Sequence, residues 1–157
     1  MVTSRALFKS EYTSVSKLIL FSIFICMILI SSACGKPKPG EIVECSPVEL
    51  QEMFEDEETF AVQFVKNGCQ YCEELQADEQ EILKEHGYLI NYVVINPENF
   101  DLISEMIEEY ELPELQTVPM LVWIKKGEYS NQFPIVSRME QKRILELWLD
   151  DNYKGGQ

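Results

Sequence analysis

The stretch that most constrains this chain is Phe60 to Glu74, FAVQFVKNGCQYCEE. Its first half, Phe60-Ala61-Val62-Gln63-Phe64-Val65, is a short run of aromatic and β-branched residues that predicts a buried strand. Lys66-Asn67-Gly68 then makes a turn that delivers Cys69 to the mouth of a helix. Cys69 and Cys72 are three residues apart, so on a helix they share a face and are close enough to form a disulfide. At a helix N-terminus, unpaired amide N–H groups and the positive end of the dipole favour a thiolate. Cys69 is therefore the expected nucleophile and Cys72 the resolving thiol.

Other uses of a Cys-x-x-Cys pair fit less well. Tetrahedral zinc takes four ligands, and this sequence offers no second pair and a single histidine, His86. Haem attachment calls for histidine directly after the second cysteine, where Glu73 stands. A structural disulfide is the remaining alternative. No metal or organic cofactor is expected beyond the cysteine pair itself. His86 lies 17 residues beyond Cys69, about 25 Å along a helix, too far to act as its base; it is expected to face the negative end of its own helix.

The first 33 residues read as an address. A weakly basic start (Arg5, Lys9 and Lys17 against Glu11) precedes an unbroken apolar run from Leu18 to Ile30, and small residues Ser31-Ser32-Ala33 lead to Cys34. The apolar run falls short of the roughly 20 residues that a bilayer span requires. Ile30-Ser31-Ser32-Ala33-Cys34 resembles the lipobox of bacterial lipoproteins, which implies cleavage before Cys34 and lipidation of its thiol. An uncleaved signal anchor is the alternative. Either way the domain is expected outside the cytoplasm, tethered to the bacterial cell membrane. Residues 34–40, rich in Gly, Pro and Lys, read as a leash.

The remainder, 41–153, is one ordinary domain, with a frayed tail at 154–157. The whole chain has 13 basic and 27 acidic residues; without the three basic and one acidic before Cys34, the balance is 10 against 26, a net charge of −16. Such a surface argues against nucleic acid as a partner. Cys45 is left without an evident mate and reads as a small buried hydrophobe near the first strand.

Taken in order, Glu41–Cys45 is a short strand. Ser46-Pro47-Val48-Glu49 is a capping box that opens a helix to about Glu57. The strand and Cys69 helix follow, the latter running to His86 with Gly87 as its cap. Tyr88–Ile95 is almost wholly apolar, as a strand covered on both faces requires. Joined in parallel to Phe60–Val65, it completes a right-handed βαβ unit. A helix carries Leu102, Ile103, Met106 and Ile107, and Thr117-Val118-Pro119 precedes the strand Met120–Ile124. Lys125-Lys126-Gly127-Glu128 turns into an edge strand from Tyr129 to Val136, and Ser137-Arg138-Met139-Glu140 caps a last helix.

This order, with CQYC after a strand, TVP before one and KKGE at the next hairpin, resembles the thioredoxin-like α/β fold, a mixed sheet flanked by helices. The resemblance implies a cis bond before Pro119, packed beside the cysteine pair. It also implies that Val118 pairs its backbone with a substrate peptide, in a surface shared with Thr117, Gln70 and Tyr71. Implied partners are proteins that exchange thiols and disulfides, and a separate redox protein that recharges the pair. The sequence departs from the family where Gly68 replaces the usual tryptophan and Gln70-Tyr71 the usual glycine-proline. Gln63 stands where thioredoxins bury an aspartate. An amide cannot accept the resolving thiol's proton, which leaves water, Glu73 or Glu74. The rival function is a thioredoxin-like binding or accessory module of a secretion or bacteriocin-export system, with CQYC a stabilising disulfide.

Overall fold

A computed structural model of the chain describes residues 40–155. The signal, the lipidation site Cys34 and most of the leash lie outside the described residues. Five strands, β1 (Glu41–Glu44), β2 (Phe60–Lys66), β3 (Leu89–Ile95), β4 (Met120–Lys125) and β5 (Glu128–Gln132), alternate with four helices. These are α1 (Pro47–Glu55), α2 (Gln70–His86), α3 (Phe100–Glu109) and α4 (Arg138–Gly155). The sheet order is β1-β3-β2-β4-β5. β1 and β2 run parallel to β3, while β4 runs antiparallel to β2 and β5. Among the described residues no helix is long and apolar enough to cross a membrane.

The period of two along β2 divides the interior into two layers. Phe60, Val62 and Phe64 pack with Leu50 and Phe54 of α1 and Ile103 and Met106 of α3. Ala61, on the opposite face, packs with Leu75, Ile82 and Leu83 of α2 and Leu145 and Leu149 of α4. Each such side chain, fully removed from water, contributes about 1.5–3 kcal/mol. Together they hold β2 at the centre of the sheet, and its C-terminal end, leading into Cys69, is fixed by packing on both sides.

Local chemistry sets the element ends. Glu49 N donates to Ser46 Oγ at 3.2 Å and Ser46 N to Glu49 Oε2 at 2.7 Å, so the first capping box forms as expected. The Ser46 backbone N–H, and secondarily the Ser46 hydroxyl, both donating to Glu49 Oε2, hold that carboxyl below its ordinary pKa. The expected box at α4 does not form: Ser137 Oγ donates to Glu140 Oε2 at 3.1 Å and Glu140 N donates to the Ser137 carbonyl, so neither reciprocal bond of a capping box is made. In the β4–β5 turn Lys126 and Gly127 both have positive φ, 54° and 71°. A Cβ on Gly127 would sit 2.6 Å from the Phe54 carbonyl oxygen, so the position requires glycine twice over.

Other expectations change as well. Helix α1 stops at Glu55, because the chain turns at Glu57 with φ 53°. Strand β5 ends at Gln132 rather than Val136: Phe133 makes one last bond to Leu121 O, and Pro134 has no N–H to continue the ladder. The last helix, α4, runs through Gly155. Tyr153 anchors it, stacking on Tyr88 at 4.3 Å between ring centroids and donating its hydroxyl to Leu89 O. His86 does not turn to its own helix end, which Gly87 caps in the left-handed conformation. Its ring instead meets α4, with Nε2 at 3.1 Å from Glu146 and Nδ1 at 3.4 Å from Asp150.

Candidate functional site

The site lies where β2 leaves the sheet. Gly68 has φ 72° and open space around its Cα, so the turn after Lys66 can reverse sharply and present Cys69. Cys69 is the N-cap of α2, and its sulfur accepts from the Cys72 backbone N–H at 3.2 Å. The two cysteines are joined by a disulfide with their Cα atoms 5.3 Å apart. Cys69 is half-buried, whereas Cys72 is only 3 % exposed. An incoming sulfur can therefore reach the first and not the second. The same N–H and the helix dipole favour negative charge on Cys69 once the bond opens.

The Val118–Pro119 peptide is cis, and Val118 O lies 3.8 Å from Cys69 Sγ. Segments 49 residues apart in sequence thus meet at the sulfur. Beside them is an apolar groove of about 390 Å³, lined among others by Ile95, Phe100, Leu115, Thr117 and Val118. Phe100 is half exposed there. A second, more polar hollow of about 420 Å³ is shared by Cys69, Cys72, Glu44, Lys66, Glu73 and Gln76. Gln70 and Tyr71 line neither. Gln70 Nε2 is turned back to Glu74 Oε1 at 2.9 Å, and Tyr71, 74 % exposed, stands on the outer surface of α2.

The sequence reading missed the acid beneath the pair. Gln63, on the inner face of β2, is fully buried; its Nε2 donates at 3.0 Å to Oε1 of Glu79, which is fully buried too. Gln76 Nε2 in turn donates to Gln63 Oε1 at 3.2 Å. Burial, and secondarily the charge of Asp78, pushes the Glu79 carboxyl up to about 8. Glu73 and Glu74 are placed differently: Glu73 is exposed at the hollow's rim, and Glu74 faces Arg138 Nε at 3.6 Å. A signal for Glu79 was present in the spacing. Cys72, Leu75, Glu79 and Ile82 follow the 3–4–3 step of a core-facing stripe, with a carboxyl in the third place.

Cys45 is buried and unpaired just after β1, and burial pushes its thiol up to about 12, which leaves it unreactive. No group of three or more His, Cys, Asp or Glu side chains able to hold a metal occurs among the described residues.

No protein-family model matches the sequence, and no characterised protein matches it by sequence. Solved structures do match in shape. A mutant thioredoxin from Halobacterium salinarum superposes with a TM-score of 0.52 at 17 % identity, covering 75 % of this chain and 96 % of its own. Thioredoxin f from spinach chloroplast gives 0.54 at 13 % identity, over 72 % of this chain and 95 % of its own. A structure described as a complex of ferredoxin:thioredoxin reductase and thioredoxin f2 gives 0.53 at 10 % identity, over 70 % and 96 %. At these identities the likeness establishes the fold, which is thioredoxin-like. A bonded cysteine pair stands at the mouth of the helix after the central strand, the arrangement that thiol–disulfide exchange requires.

Proposed function

We propose that this chain is a membrane-tethered, extracytoplasmic thiol–disulfide oxidoreductase that exchanges disulfides with protein substrates through Cys69. The observation that carries the reading is the asymmetry of the pair: a partly exposed Cys69, its sulfur 3.8 Å from the Val118 carbonyl, backed by a buried Cys72. With the pair reduced, Cys69 thiolate attacks a substrate disulfide and expels one substrate sulfur as a thiolate. Cys72 thiolate then attacks Cys69, releases the second substrate sulfur and closes the intramolecular disulfide. Run backwards, the same steps deliver a disulfide to a dithiol. The open backbone of Thr117 and Val118 offers strand-like pairing to an extended polypeptide, and the adjoining apolar groove offers room for its side chains. Both features favour a protein partner over a small thiol.

A passive module with a structural disulfide makes a different demand on the same bond. A working pair equilibrates with glutathione and has a potential in the range of about −120 to −270 mV, whereas a structural one lies below about −300 mV. Equilibrating the protein in glutathione buffers and counting free thiols is expected to give the former; a pair that stays oxidised throughout would favour the passive module.

The tether rests on the arrangement of residues 1–40. An apolar run ending in Ser31-Ser32-Ala33-Cys34, and the Gly/Pro/Lys leash after it, suit a lipid-anchored domain, and a net charge of −16 on the rest would hold it off anionic headgroups. Cys34→Ala is expected to abolish incorporation of labelled fatty acid and to leave the apolar segment before residue 34 uncleaved. Unchanged incorporation of labelled fatty acid would rule out Cys34 as the anchor.

A further inference from the structure

Glu79 sits where an apolar side chain would serve the fold better. It is fully buried between α2 and the sheet, and its Oε2 has no hydrogen-bond partner among the described residues. Burying a carboxyl without a cation is unfavourable. Arg138 of α4, which pairs with the neighbouring acids of α2, is held by Asp78 and Glu74. Leucine at this position would continue the stripe of Leu75, Ile82 and Leu83. A residue that breaks its local rule without a compensating contact marks a place where function outweighs stability.

What Glu79 touches leads to the sulfurs. Its Oε1 receives Gln63 Nε2, Gln63 Oε1 receives Gln76 Nε2, and Gln76 lines the hollow that Cys69 and Cys72 share. Gln76 also follows Cys72 by four residues and precedes Glu79 by three, so along α2 it neighbours both. We propose that Glu79 is a positioning residue for the buried sulfur: through Gln63 and Gln76 its charge state sets how readily Cys72 becomes a thiolate, which couples protonation of this carboxyl to the redox step. The inference rests on the redox reading above and assigns the acid to α2 rather than to the central strand.

The chemistry balances simply. A partner dithiol brings two electrons; its thiolate attacks Cys69, the Cys69–Cys72 bond breaks, the partner leaves as a disulfide, and its two protons pass to the two cysteine sulfurs. Negative charge rests on Cys72 in this passage, and a Glu79 carboxylate opposes it while a neutral carboxyl does not. The raised position of the Glu79 equilibrium places the change between these two forms close to neutral pH. Other charges facing Glu79 are few. Asp78 on α2 opposes its ionisation and is itself engaged by Arg138 and Gln141 of α4. Gln63 from β2 is uncharged. Glu44 of β1 is exposed and receives the Tyr92 hydroxyl, and Glu73 stands at the rim of the hollow.

Two helical turns separate Cys72 from Glu79, about 10 Å, at which a unit charge in a medium of effective dielectric about 20 changes an equilibrium roughly tenfold. The test uses the full chain. The reduction potential of Glu79→Gln is expected to match the unsubstituted protein near pH 6 and to become more oxidising by about 30 mV near pH 9, the equivalent of that tenfold change. Carbon-13 NMR of glutamate carboxyls in the unsubstituted chain, which needs no variant to fold, is expected to show Glu79 titrating at lower pH in the oxidised than in the reduced state. Potentials that stay parallel across the pH range, or a Glu79 titration blind to the redox state, would overturn the proposal. A pair that exchanges with glutathione while Glu79 stays blind would sink this inference alone; a pair that does not exchange would sink both.

Discussion

Replacing Glu79 by glutamine is expected to make the oxidised protein more stable at pH 9 than the unsubstituted chain by a few kcal/mol. The sign follows from linkage. The carboxyl's equilibrium is raised in the folded state, from an ordinary 4.5 to about 8, so the folded protein holds this proton more tightly than the unfolded one. Its contribution to stability is fully present below about pH 4.5, declines as pH rises, and is lost above about 8. Each unit of difference corresponds to about 1.4 kcal/mol, which makes the total a few kcal/mol. Glutamine removes the titration but leaves an amide N–H₂ where Oε2 stands, a burial that offsets part of the gain by about 1–3 kcal/mol. The test is therefore the slope: urea unfolding from pH 4 to pH 9 should give curves for the two proteins that diverge as pH rises. Every other titrating group is common to both and cancels in the difference, so curves that stay parallel would show that Glu79 is not buried as a neutral acid.

Phe64→Ala carries the other large effect. Phe64 is fully buried in β2, within the layer formed by Val93 of β3, Met120 of β4 and the α1 and α3 helices. Its partner across the sheet, Met120, follows directly on Pro119. Truncating a buried phenylalanine costs about 3–5 kcal/mol through lost transfer energy and the cavity left behind. A domain of this size has about 5–15 kcal/mol in all. The urea midpoint should fall accordingly, and the strand that aims Cys69 and the segment that brings Val118 to it should loosen together. A loss below about 1 kcal/mol would mean that the layer refills and that β2 is not the rigid centre of the site.

The fold was legible because its strongest signals are local and agree with one another. The apolar run of β2 and the nearly continuous one of β3 can only be central strands; Ser46-Pro47-Val48-Glu49 writes a helix start in four residues; and Lys126-Gly127 gives the positive φ values that the hairpin turn needs. The cysteine pair was legible for the same reason, since strand, turn and helix mouth are contiguous. What escaped depends on contacts far apart in the chain. Tyr153 holds the last turn of α4 through Tyr88, 65 residues away, and no local propensity announces it. His86 turned to Glu146 and Asp150 because α2 and α4 lie side by side, a neighbourhood that spacing within one helix does not reveal. Glu79 was hidden by its chemistry: in the run Asp78-Glu79-Gln80-Glu81 it looks like one more solvated acid, and only its place on the stripe of Cys72, Leu75 and Ile82 separates it from its neighbours.

The reading as a whole depends on which of two sulfurs a partner meets first. Expressing Cys72→Ser and resolving covalent complexes on non-reducing gels measures this directly, because a partly exposed Cys69 without its resolving neighbour keeps any substrate it attacks. The expected result is a set of dithiothreitol-sensitive complexes with Cys72→Ser and none with Cys69→Ser or the double variant. Complexes that form equally well with Cys69→Ser, or with neither single variant while both fold, would contradict the assignment of Cys69 as the attacking sulfur.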